Sequence, residues 1–366
     1  MHSLPEEMLP CEQEFFLPEE LLVLVFSFSQ GYNFVNRQVC FDFRRMIGPV
    51  EHLVYLDQLL KDNRKPKNFK PSKKLAGIAL DKGFLYILQA CREFVPDDVC
   101  EIAAENGNLE IVKWARVNGY SWDEDTCCYV ALAGQLEFLQ WVRDNGCPWN
   151  ENTCSAAALN GHLEVLQWVR SANCPWDERT CSSAASNGHL EILQWARANG
   201  CPWNEDTCAN AASGGHLEIL QWARANGCPW DENTCAFAAL GGHLEVLQWA
   251  RANGCPWNGN TCSSASYGGY LEILQWARAN GCPWTEWTCT NAASTGQLEI
   301  LQWARANGCP WDEYTCIYAA QEGYLEILQW ARANGCPWNV NICLGVCVKF
   351  PLITKWVEEN RDYILY

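Results

Sequence analysis

One phrase constrains this chain more than any other feature. Leu-Gln-Trp-Ala-Arg-Ala-Asn-Gly-Cys-Pro-Trp, or a close variant, returns every 27 residues. Its first tryptophan falls at Trp114, Trp141, Trp168, Trp195, Trp222, Trp249, Trp276, Trp303 and Trp330. A fixed period of roughly 20 to 50 residues means a stacked array, because one such unit cannot bury its own apolar face. The second tryptophan keeps step from Trp122 and Trp149 to Trp338, and the cysteines recur as Cys-x6-Cys, as in Cys147/Cys154 and Cys336/Cys343. The repeat therefore accounts for two abnormal totals, 20 Trp and 23 Cys in 366 residues.

Each unit reads as two helices. Asn150 is a candidate N-cap, and Glu151 suits the positive end of a helix dipole. A first helix is expected from Glu151 to Asn160, ended by Gly161. A second is expected from near His162, with Leu163, Val165, Leu166, Trp168 and Val169 apolar and Glu164, Gln167 and Arg170 on one polar stripe. Asn199-Gly200 and then Cys-Pro end the second helix of a typical unit. Alanine pairs such as Ala157-Ala158 are small enough for close helix contact. No alternation of period two suggests strands. Nine regular units run from near Asp97 to Gly335, with degenerate caps over 74–94 and 342–366. The expected class is all-α, a helical-repeat solenoid.

Composition narrows the partners. The net charge of −17 disfavours a phosphate backbone, so no nucleic-acid partner is expected. The longest apolar run, Leu21 to Phe28, is well short of the roughly twenty residues of a membrane span. The acidic start lacks a basic region followed by an apolar one, so no secretory signal is read there. An odd cysteine count in a long chain points to free thiols and a reducing, cytoplasmic setting.

The chemistry-bearing residues are mostly copies. Zinc sites space cysteines by about two to four residues, and the spacing here is six. Equivalent cysteines of neighbouring units should sit about 10 Å apart, beyond disulfide reach. His162, His189, His216 and His243 alternate with Asn108, Gln135, Tyr270, Gln297 and Tyr324, which suits a hydrogen-bonding turn residue and not a metal ligand. The Cys-Pro-Trp tryptophans recur too regularly to be a ligand cage and are expected to pack between repeats. A catalytic site is one singular constellation, and none is seen. No enzyme, cofactor or metal is expected.

The phrase Ala184-Ala185-Ser186-Asn187-Gly188-His189-Leu190-Glu191 resembles the ankyrin repeat. Ankyrin repeats span about 33 residues, and the six missing here fall where ankyrins carry a β-hairpin finger. The resemblance, over residues 74–366, implies a finger-less ankyrin-like solenoid that binds proteins.

Residues 1–60 do not repeat. Leu17-Pro18-Glu19-Glu20-Leu21-Leu22 opens an apolar helix, and Val39-Cys40 is followed by an aromatic and arginines. This pairing resembles the F-box, a small three-helix unit. The resemblance implies docking on the Skp adaptor of a cullin–RING ubiquitin ligase through Leu17, Pro18, Leu21, Leu22, Val25, Val39, Cys40 and Phe43. The combination resembles F-box/ankyrin proteins of large DNA viruses of protists and of some protists, which would place it in a host cytoplasm if viral. Residues 61–73 read as a basic, proline-containing linker; such a cluster can also direct nuclear entry.

Positions that differ between units are free to read a partner. Two before, two after and five after the Thr-Cys cysteine make one stripe of the first helix. Across stacked units this stripe tiles a surface. Its candidate target-binding residues are Arg179, Phe237, Tyr267, Trp287, Asn291, Tyr314, Tyr318 and Gln321. The function expected is a substrate-recruiting adaptor. The alternatives are an interaction scaffold or inhibitor with no ligase link, and a thiol-rich metal or redox protein.

Overall fold

A computed structural model describes residues 52–361. Among the described residues the regular structure is helical throughout, and the chain divides into two units, one ending at Thr126 and the other starting at Cys127.

In the first unit, helix His52–Lys61 precedes Lys73–Lys82, Leu85–Ala90, the 3-10 turn Arg92–Phe94, Val99–Glu105 and Leu109–Val117. The residue-60 boundary expected from sequence falls at the end of His52–Lys61. That helix packs on the first pair: Asp57 Oδ1 accepts from the Ile87 amide at 2.8 Å, capping Leu85–Ala90. Burial pushes the Asp57 carboxyl above its ordinary range, against the lowering effect of that same bond. Ser72 caps Lys73–Lys82 by accepting from the Leu75 amide at 3.2 Å.

The second unit is the regular stack. Its first helices include Glu151–Leu159, Glu178–Ser186, Glu205–Ser213, Glu232–Leu240, Gly259–Gly268, Glu286–Ser294 and Glu313–Glu322. Each is followed by a nine-residue second helix, Leu163–Ser171 being the pattern for the rest. The caps work as the residues suggest. Asn150 Oδ1 accepts from the Asn152 amide at 2.9 Å. The first helix ends in a Schellman turn, with Gly161 at φ +82° and the His162 amide reaching Ala157 O at 2.9 Å. The second ends the same way, with Gly200 at φ +82° and the Cys201 amide on Ala196 O at 3.0 Å. Asn173 takes the glycine's place in one repeat, also left-handed at φ +63°.

Repeating columns of side chains tie the stack together. Successive first helices pack on one another through buried Cys154, Ala157 and Ala158 and their equivalents, while Leu166 and its copies fill the space under the second helices. The turn histidines reach back one repeat: His189 Nε2 donates to Leu159 O and His216 Nε2 to Ser186 O, both at 3.1 Å. The Cys-Pro-Trp tryptophans meet the next repeat edge-on, Trp149 on Trp168 at 5.9 Å and Trp203 on Trp222 at 5.9 Å. The arginine before each such tryptophan stacks on its ring, Arg143 over Trp149 at 3.8 Å, and donates to the Cys147 carbonyl.

The cysteines pair in space differently from their order in sequence. Cys147 and Cys154 belong to different repeats; Cys154 meets Cys174, on the far side of its own second helix. The Cys174 thiol donates to Asn150 O at 3.3 Å and lies against the Cys154 thiol, so each repeat closes on itself. The contact with the Cys228 sulfur and, after it, burial hold the proton on Cys208, whose pKa lies well above the ordinary thiol range; the same contact holds Cys228 lower. Every described cysteine is a free thiol, and all but Cys128 are buried. The neighbouring threonines are buried as well. Thr207 and Thr234 hydroxyls make no conventional hydrogen bond and face the sulfurs of Cys228 and Cys255.

Candidate partner-binding face

The first-helix stripe is set by what each helix buries. The Thr-Cys pair points inward, so the residue before it points out, and so does the residue five after the cysteine at Tyr267. Trp287, Tyr314 and Tyr267 are accordingly 48%, 48% and 54% exposed. Trp287, on Glu286–Ser294, stacks on Tyr314, on Glu313–Glu322, with ring centroids 6.4 Å apart and planes 17° from parallel. Tyr318 lies one turn on from Tyr314, at 6.4 Å. Tyr267 comes from the end of Gly259–Gly268.

These side chains enclose one open groove of about 360 Å³, lined by Tyr267, Trp287, Thr290, Asn291, Ser294, Tyr318 and Glu322. Asn291 is held across the repeat boundary, its Nδ2 donating to Ser263 O at 3.1 Å, and Ser294 Oγ donates to Asn291 O at 3.0 Å. Thr290 is buried beneath, its hydroxyl 3.4 Å from that of Thr315.

Four of the residues singled out from sequence, Tyr267, Trp287, Asn291 and Tyr318, therefore line a single cavity, with Tyr314 backing Trp287. The other three on this face are elsewhere or engaged. Arg179 is exposed but clasped by Asp177 Oδ2 at 2.8 Å, Glu151 Oε1 at 3.0 Å and Asn152 Oδ1 at 2.8 Å, and the bond to Asp177 raises its already high pKa. It staples two repeats. Phe237 is half-buried on Glu232–Leu240 and does not line the groove. Gln321 donates to Glu322 Oε1 at 2.9 Å. Leu17, Pro18, Leu21, Leu22, Val25, Val39, Cys40 and Phe43 lie outside the described residues.

Sequence reasoning missed Glu322. It stands six after the Thr-Cys cysteine, a column that reads Asn160, Asn187, Gly214, Gly241, Gly268, Thr295 and Glu322. That column varies as much as the three chosen, and it lies four after one of them, so it was there to be found.

The outer face of the second helices is different in kind. A cavity of about 290 Å³ there is lined by Gln248, Arg251, Ala252, Trp257, Trp276 and Asn280, members of the repeating columns. Its lining residues belong to columns that recur from repeat to repeat, whereas Tyr267, Trp287, Tyr318 and Glu322 depart from theirs. Among the described residues no group of three or more His, Cys, Asp or Glu converges to hold a metal, no catalytic constellation is present, and no helix is long and apolar enough to cross a membrane. The described residues form a regular helical-repeat stack.

No family model matches the chain. No curated protein matches its sequence. Among solved structures it is similar to the ankyrin repeat domain of human ASB11, at 14% identity and a TM-score of 0.40, over 51% of this chain and 99% of that one. A superposition this loose carries no argument; the all-α repeat architecture rests on the helices described above.

Proposed function

We propose that this chain is a protein-binding repeat module that holds a target on its first-helix face, centred on Trp287, Tyr314 and Tyr318. One observation carries the reading: the residues that depart from the repeat gather their aromatic rings around one groove, while the residues that obey it pack the stack. Exposed, clustered aromatics of this kind are the usual anchors of an interface.

The finer reading is an adaptor that presents this target to a cullin–RING ubiquitin ligase. It is supported by the resemblance of residues 1–60 to an F-box, through Leu17-Pro18 and Val39-Cys40. Under it the Skp adaptor and the target bind at opposite parts of the sequence and independently. Replacing Leu17, Pro18 and Leu22 with polar residues should abolish binding of a purified Skp adaptor and leave the thermal melt of the repeats unchanged. Replacing Trp287, Tyr314 and Tyr318 with Ala should lose the target and keep Skp; each anchor is worth about 2 kcal/mol, or roughly 30-fold in affinity. If the wild-type chain binds no Skp protein, the adaptor reading falls and an interaction scaffold remains. If the triple aromatic variant keeps its target, the binding face lies elsewhere.

A further inference from the structure

We propose that the groove at Trp287 takes a cationic side chain, an arginine or lysine of the bound partner. The inference rests on the reading of this face as the partner-binding one and names what it recognises.

The first argument is the wall. Tyr267, Trp287 and Tyr318 present rings to one cavity, and a cation over an aromatic face is attracted by the ring quadrupole, most strongly by tryptophan. The second is the rim. Glu322 lines the same cavity, and among the described residues no Lys or Arg pairs with it. Its one described partner, the Gln321 amide, orients the carboxylate without neutralising it. The third is the floor. One Asn291 amide hydrogen is engaged by Ser263 O and the Ser294 hydroxyl by Asn291 O, while Asn291 Oδ1 and the Glu322 carboxylate are acceptors at the same groove. Aromatic rings beside a carboxylate and an amide oxygen suit a guest that is rich in N–H and positively charged.

The chain answers the same need internally. In repeat after repeat it lays an arginine on a tryptophan, Arg224 over Trp230 at 4.0 Å and Arg278 over Trp284 at 3.9 Å, with the guanidinium also donating to a carbonyl. The groove offers ring and acceptor without an internal cation. Other guests fit less well. An acidic side chain would face Glu322 on a chain of net charge −17. A purely apolar one would cover the rings and take the Glu322 carboxylate out of water unpaired, at a cost.

The test uses the full chain and two probes. A random dodecapeptide library is selected on the wild-type protein, and binders that lose at least tenfold on Trp287→Ala are retained. They should share one Arg or Lys; replacing it with norleucine should weaken binding at least tenfold. Glu322→Gln should weaken binding several-fold and flatten its salt dependence, with the helical circular dichroism unchanged. Separately, N-acetyl-arginine amide should shift the Trp287 indole resonance, identified by its loss in Trp287→Phe, and N-acetyl-norleucine amide should not. Trp287-dependent binders anchored by an apolar or acidic residue would overturn the cationic guest and leave the binding face standing. Binders indifferent to Trp287, Tyr314 and Tyr318 would overturn the face itself. An indole resonance equally indifferent to both amides would overturn the cationic guest even if the library gave no binder.

Discussion

Gly161 and Gly200 share a backbone angle and differ in their surroundings, which makes them a matched pair of probes. Both sit at φ +82° after a helix. A Cβ on Gly200 would meet nothing within 4 Å, whereas one on Gly161 would come to 2.7 Å from His189 Cε1 and 3.0 Å from its Nδ1. Gly200→Ala should therefore cost only the left-handed penalty of an L residue, about 1–2 kcal/mol. Gly161→Ala should cost that and also displace the His189 ring, breaking its bond to Leu159 O at 3.1 Å, worth about 0.5–1.5 kcal/mol. The expected gap is about 1 kcal/mol, with Gly161→Ala the worse. Urea titration followed by circular dichroism measures it, and amide exchange around residues 157–166 and 196–205 checks that the loss is local, since a one-dimensional stack need not unfold in one step. In a His189→Ala background the Gly161→Ala penalty should shrink to that of Gly200→Ala, a coupling of about 1 kcal/mol in a double-mutant cycle. Equal costs in the wild-type background, or no coupling, would refute the claim that the histidine column is a packed link between repeats.

Thr234→Val keeps the shape and removes a buried hydroxyl with no conventional partner, so stability should hold or rise by up to about 1 kcal/mol; a clear loss would mean that the contact with the Cys255 sulfur is a real bond. Arg224→Lys should lower stability by about 0.5–1 kcal/mol in the same titration, because an ammonium cannot both lie flat on Trp230 and reach Cys228 O. Among the described cysteines, native protein should expose Cys128 first to an aromatic disulfide reagent and the buried ones hardly at all, and denatured protein should expose nearly all 23. Burial pushes the Cys343 thiol up to about 12 from an ordinary 9.0, so the folded state keeps a proton that the unfolded state loses. That contribution to stability is complete below about pH 9 and is lost as the pH rises toward 12; urea midpoints that do not fall between pH 8 and 11 would contradict it.

What could be read from the sequence follows from how each residue acts. Helix limits are local events. Asn150, Gly161 and Asn199-Gly200 act on their own backbone within a few residues, so the cap and stop positions were legible to within a residue. The hydrogen-bonding role of the turn histidines was legible because the column tolerates Gln, Asn and Tyr, which share hydrogen bonding and not metal affinity; that the acceptor lies one repeat back was not. The cysteine pairing was not. Cys147 and Cys154 are near in sequence, but a helix N-terminus separates them, and the second helix must fold back before Cys174 can reach Cys154. That closure depends on where two helices cross, which spacing alone does not encode. Arg179 shows the same limit from the other side. Its column marked it as free to read a partner, yet a guanidinium has five donors, and acceptors within reach on its own and the preceding repeat engaged it. Variation in a repeat thus marks where the stack makes no demand on a side chain. Whether that freedom becomes a binding site depends on the neighbours: Arg179 stands beside Asp177 and Glu151 and is neutralised, while Trp287, with Tyr314 against it and Glu322 across the groove, stays exposed and incomplete.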